Sequence, residues 1–181
     1  MKKIAVLSIA LFLVALSFAG AFAATYKHAD AKFELTVPDT WKVSNEDGNF
    51  RIEAKGDTDA DNIVMDFEAV EAADLSKTME EGMKWISKEM VTMFGEEKGV
   101  LKESGEMSEL KIGGMDAINQ LFTCNDGKYA VDITIFITPA KKFMALYYYA
   151  TVEAEKKHEK EITDIIQSIK PIEDAAGFEK K

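Results

Sequence analysis

The segment 143–152 constrains the fold of this chain more than any other. In a strand, successive side chains point to opposite sides. Phe143, Ala145, Tyr147 and Tyr149 then share one side, and Met144, Leu146, Tyr148 and Ala150 share the other. Both sides are apolar, so both must be covered by other layers. The three tyrosines read as core on two faces rather than as one aromatic pocket. Two more strand-like runs precede this one, over 115–124 and 129–138. Asn125, Asp126 and Gly127 form a hairpin signal between them. Pro139, Ala140 and Lys141 turn the second run into the third. Leu110 and Ile112 suggest a further short strand before them.

The first half alternates as well. Phe33, Leu35 and Val37 mark a strand ending at Pro38. Trp41 and Val43, then Phe50, Ile52 and Ala54, then Ile63, Met65, Phe67 and Ala69 mark three more. Short turns separate them, so the four are expected to form an antiparallel meander. The period then changes. Leu75, Met79, Met83, Ile86, Met90 and Phe94 recur every three or four residues, as one face of an amphipathic helix does. Asp74 or Ser76 can cap its start and Gly95 can close its end. A final helix carries Ile162, Ile165, Ile166 and Ile169 and must stop before Pro171. The fold class read from this order is α+β: an antiparallel sheet sandwiched between helices, α/β/α.

The amino terminus reads as an address. Lys2 and Lys3 precede an apolar run over 4–18, and Ala21-Phe22-Ala23 places small residues at alternate positions. That is the form of a secretory signal peptide cleaved near Ala23. The expected organisation is a signal peptide at 1–23, one domain at 24–171 and a frayed tail at 172–181. No second long apolar run follows, so the mature chain is expected to be soluble, without stable membrane insertion, and periplasmic or secreted. The chain holds 22 Lys+Arg against 32 Asp+Glu, a net charge of -10. Loss of Lys2 and Lys3 with the leader would bring the exported part to -12. Such an acidic chain, with Arg51 as its one arginine, is a poor match to nucleic acid, whose binding needs a basic face. A single cysteine excludes an intramolecular disulfide framework and a Cys-rich zinc site.

Three stretches carry a family resemblance. The run from Phe33 through Leu35, Val37 and Pro38 to Trp41 resembles the opening of PsbP-like domains. Ile112, Gly113, Gly114, Met115, Asp116 and Ala117 are similar to the segment that leads into that family's late strands. Ile165, Ile166, Gln167, Ser168, Ile169 and Lys170 match its final helix and Ser-containing end. Together they span about residues 26–171. The resemblance implies an α/β/α sandwich, as in the photosystem II extrinsic protein and a Ran-binding nuclear-transport protein. It implies an accessory or binding protein rather than an enzyme. No photosynthetic or Ran-binding motif carries over to residues of this chain.

Several local patterns carry possible chemistry. Asp57, Asp59 and Asp61, followed by Asn62, Val64 and Glu68, place oxygens at positions one, three, five and twelve of a Ca²⁺ loop. The ordinary reading is an acidic hairpin loop, because the flanks are strands and Glu68 would sit up one of them. Met79, Met83, Met90 and Met93 could offer thioethers to Cu(I), but they largely coincide with the core stripe. Trp85 lies off that stripe on the Gly82 side, and both are candidates for partner or ligand contact. Cys124 reads as a half-buried thiol, since neither His28 nor His158 completes a Cys-His arrangement. Residues 153–161 mix both charges along a solvated helix face. No phosphate loop, nucleophile elbow or paired-Cys metal spacing is present.

The reading that follows is an exported, non-enzymatic accessory or binding protein, acting on an unidentified protein or small ligand. No catalytic residue and no cofactor is expected. One alternative is a calcium-dependent or calcium-stabilised binding module using Asp57, Asp59 and Asp61. Another is a carboxylate-based hydrolase, which would need a concave site holding acids of raised pKa.

Overall fold

The computed structural model describes residues 23–46, 49–54, 63–70, 101–124 and 126–172, together with Glu81, Trp85, Lys88 and Thr92. Among these residues the strands are β1 (Ala23–His28), β2 (Phe33–Pro38), β3 (Trp41–Glu46), β4 (Asn49–Ala54), β5 (Ile63–Val70), β6 (Lys102–Glu103), β7 (Ser108–Ile112), β8 (Met115–Cys124), β9 (Tyr129–Ile137), β10 (Phe143–Thr151) and β11 (Lys170–Pro171). One complete helix, α1 (Val152–Ser168), lies among the described residues. Among those residues the strands form two antiparallel sheets. The larger has eight strands in the order β3-β4-β5-β10-β9-β8-β6, with β7 also paired to β8. The smaller has the order β1-β2-β11.

The expected four-strand meander is corrected by this topology. Only β3, β4 and β5 run as a meander, and β2 belongs to the other sheet. Two features hold β2 there. Its partner β1 alternates only weakly, with Ala24, Tyr26 and His28 turned inward. On its other side the end of α1 takes over the hydrogen bonding. Ser168 Oγ accepts from Thr36 N at 2.8 Å and donates to the Ile165 carbonyl at 2.7 Å. Phe33, Leu35 and Val37 meanwhile turn inward and are fully buried.

Strand β10 sits at the centre of the large sheet, between β5 and β9. Both of its faces are buried. Met144, Leu146, Tyr148 and Ala150 belong to the core shared with α1 and the small sheet. Ala145 and Tyr149 join a second cluster with Val131, Ile133 and Ile135 on the opposite face. Cys124 lies inside this second cluster and is 1% exposed, not half-buried as its place at a strand end suggests. Burial among apolar neighbours makes it an inert thiol.

Helix α1 follows β10 without a loop. Thr151 is its N-cap, with Oγ1 accepting from Ala154 N at 3.1 Å. Glu153 and Glu155 occupy the first turn, where the helix dipole favours acids. The helix stops because Pro171 pushes Lys170 into extended backbone, and the chain continues as β11 beside β2. Ile172, the first residue of the expected tail, still donates its amide to the Lys32 carbonyl at 2.9 Å. The β7–β8 hairpin is pinned to this helix end through Gly113. Its φ is +57°, and a Cβ there would lie 2.2 Å from the Ile169 carbonyl oxygen. Only glycine meets both conditions.

Candidate functional site

The pairing of β8, β9 and β10 orders their side chains into rows across one face of the sheet. Ala117, Phe136 and Met144 form one row, Asn119, Thr134 and Leu146 the next, and Leu121, Asp132 and Tyr148 the one after. The first row is apolar and buried. The next two bring polar atoms onto a face that is otherwise core. They open beneath the end of α1 into a cleft of about 380 Å³. Its walls include Leu110 and Ile112 from β7 and Ile166 and Gln167 from α1, and its floor includes Asn119, Asp132, Thr134 and Tyr148. A volume of this size falls within the range of small-molecule sites.

The polar floor is a connected network. Asn119 Nδ2 donates to Asp132 Oδ1 and, at 2.9 Å, to Thr134 Oγ1. Thr134 Oγ1 donates to the same Asp132 oxygen at 3.1 Å. Burial pushes the Asp132 carboxyl up to about 6, against the lowering effect of these two donors, and the nearby Glu155 carboxylate raises it further. Tyr148 is 5% exposed, and its phenol is raised by burial and then by Glu155 and Asp132. Glu155 approaches the Tyr148 Oη without closing a hydrogen bond of ordinary geometry, and among the described residues that buried oxygen has no closer hydrogen-bonding partner. Lys111 also lines the cleft, but its ammonium is paired with Asp116 at 2.5 Å.

Tyr148 reads as core from the sequence, and the other three floor residues do not stand out in a reading of the sequence for motifs. A signal was available, because Asn119, Asp132 and Thr134 are polar interruptions of long apolar strands at core-facing parity. Residues singled out from sequence lie elsewhere. Asp57, Asp59, Asp61, Gly82 and the methionines Met79, Met83, Met90 and Met93 are outside the described residues. Glu68 is on β5, paired in register with Ala145, and burial raises its carboxyl. Trp85 has helical backbone and is 40% exposed, at helical spacing from the exposed Glu81, Lys88 and Thr92. His28 is buried and stacked on Phe33, with Nδ1 accepting from Ala31 N at 3.2 Å to close the β1–β2 turn. His158 bonds Glu161 Oε2 at 2.6 Å, and Trp41 Nε1 donates to the same oxygen at 3.3 Å. This second trio anchors the Trp41 ring against α1. Among the described residues, no group of three or more His, Cys, Asp or Glu is arranged to hold a metal ion. Nor is any described helix long and apolar enough to cross a membrane.

The architecture is a PsbP-like fold. The chain is similar in structure to cyanobacterial PsbP (CyanoP) from Synechocystis, with a TM-score of 0.59 and 8% identity, over 86% of this chain and 95% of that one. It is also similar to LpqN of Mycobacterium tuberculosis, a protein involved in cell envelope biogenesis, with a TM-score of 0.54 and 15% identity, over 90% of this chain and 95% of that one. No family model and no curated protein sequence matches the chain. At these identities the likeness is one of fold, and residue roles do not transfer with it.

Proposed function

We propose that this chain is an exported, non-enzymatic binding protein whose ligand site is the cleft beneath the end of α1. The observation that carries the reading is the cleft floor. It joins a hydrogen-bonded carboxylate to a buried phenol with an unmet hydrogen bond, inside largely apolar walls. That combination suits recognition of a ligand with a polar head and an apolar body. A hydrolase of the two-carboxylate kind is less well supported, because Asp132 is the one acid among the residues lining the cleft. The PsbP-like fold, and the part that LpqN plays in cell envelope biogenesis, favour an accessory role outside the cytoplasm.

The same reading makes residues 1–23 a leader, 24–171 the domain and 172–181 a tail. Cleavage after Ala23 would leave β1 pairing from Ala24 opposite Val37 onward. It also makes the architecture α/β/α. The support is the buried second face of the large sheet, together with the helical backbone at Glu81, Trp85, Lys88 and Thr92. Trp85, and Gly82 three residues before it in the sequence, are the proposed contact for a protein partner. The test is capture from a periplasmic extract by the full mature chain, against Asp132→Asn and Trp85→Ala variants. A small-molecule role predicts a bound compound, identified by mass spectrometry, that Asp132→Asn loses and Trp85→Ala keeps. Equal recovery by all three proteins would remove the cleft from the function.

A further inference from the structure

The polar atoms of the cleft are used unequally, and the imbalance identifies the ligand's head group. Asn119 spends its amide hydrogens on Asp132 Oδ1 and Thr134 Oγ1, and Thr134 spends its hydroxyl hydrogen on Asp132 Oδ1. What the floor still offers is mainly acceptors: Asp132 Oδ2, Asn119 Oδ1 and the lone pairs of Tyr148 Oη, whose own hydrogen faces the nearby Glu155 carboxylate. The remaining side-chain donors of the lining, Lys111 and Gln167, are exposed at its rim, and Lys111 is tied to Asp116. A ligand entering this floor must therefore bring donors. The charge agrees, because Glu155 is close enough to raise the Asp132 carboxyl and Glu159 close enough to raise that of Glu155. An anion would meet these carboxylates with no cation free on the floor to answer it.

We propose that the cleft binds a small organic cation, a primary ammonium on an apolar chain, with the ammonium on Asp132 and Tyr148 Oη and the chain along Leu110, Ile112 and Ile166. An ammonium carries three N–H donors in a compact head, and the floor sets three acceptors on adjacent rows of the sheet. The apolar walls take the rest of the molecule out of water. This inference rests on the cleft being a binding site, and the experiment separates the two claims.

Hexylammonium, hexanol and hexanoate share one apolar chain and differ in the head group. Each is titrated at pH 7.5 into isotopically labelled mature protein, following the backbone amide signals of Asn119, Thr134 and Gln167. Hexylammonium is expected to shift these signals saturably. Hexanol should bind at least about tenfold more weakly, as loss of a charge-assisted bond requires. Hexanoate should leave them unmoved. Asp132→Asn should weaken hexylammonium by about tenfold, and Tyr148→Phe by about threefold to tenfold. Saturable shifts with hexanol or hexanoate at equal strength would overturn the cation and leave the cleft standing as a site. So would unchanged hexylammonium binding in both variants. No shift with any of the three probes would overturn both claims.

Discussion

Asp132→Asn tests the electrostatics of the cleft through stability alone, with no ligand needed. In the folded chain burial holds the carboxyl up to about 6, against 3.8 for an ordinary aspartate. Between those two values the folded state binds more protons than the unfolded one, so stability falls as pH rises through the window. Above it the loss is complete and constant. A rise from 3.8 to about 6 corresponds to about 3 kcal/mol. Solvent reaching the partly exposed carboxyl reduces this, and about 2 kcal/mol is the working figure. Asparagine keeps an Oδ1 acceptor for Asn119 and Thr134 but has no charge to bury. The variant should thus be about 2 kcal/mol more stable than the parent at pH 7.5, raising Tm by roughly 4–8 °C for a chain of this size. At pH 3.5 the gain should vanish. Urea unfolding of both proteins at pH 3.5, 5 and 7.5 reads the difference from the midpoint at constant slope. A variant less stable than the parent at pH 7.5 would refute the reasoning, as would a gain of the same size at every pH.

Other substitutions and conditions test other parts of the structure. Gly113→Ala combines a positive φ with a Cβ 2.2 Å from the Ile169 carbonyl oxygen, and should cost more than about 3 kcal/mol in a denaturation experiment. Ser168→Ala leaves the Thr36 amide without its partner and should cost about 1–2 kcal/mol by the same measurement. Thr151→Ala removes the N-cap of α1 and should cost about 1 kcal/mol. The calcium reading of Asp57, Asp59 and Asp61 predicts a higher melting midpoint in millimolar Ca²⁺ than in chelator, by about 1.4 kcal/mol at ten times Kd. Identical midpoints would remove it.

The elements that are legible in the sequence are those whose apolar period is uninterrupted. Strands β2, β4, β5 and β8 to β10 and the isoleucine stripe of α1 were all readable from spacing, because burial on one or two faces dictates it. Sheet membership was not readable. Phe33, Leu35 and Val37 alternate in the same way whether β2 pairs with β3 or with β1. The choice is made by Ser168, which is 132 residues from Thr36 in sequence. Strand β1 was missed because its inward residues, Ala24, Tyr26 and His28, are small or polar-tipped and make a weak apolar set. The cleft was missed for a related reason. Asp132 and Thr134 fall at core-facing parity in β9, and a search for motifs passes over single polar residues inside apolar strands. Their significance appears only when pairing sets Asn119 opposite Thr134 and Tyr148 opposite Asp132.

The same end of α1 that ties the two sheets together also sets where the cleft opens. Ser168 binds β2, Ile169 closes over Gly113, and Ile166 and Gln167 wall the cleft. These four consecutive residues plus the Gly113 contact fix the position of β7 and its Leu110 and Ile112. A change that loosens the Gly113 contact should therefore alter the cleft wall before it reaches the carboxylate floor, which is held by the pairing of β8, β9 and β10. Leu110, itself 37% exposed, is the wall residue with the most freedom to follow. The cleft then has a polar floor set by the sheet and an apolar wall positioned by a tightly packed glycine turn. In that arrangement the head group of a ligand is selected by the sheet, and the length of its apolar body by the helix end.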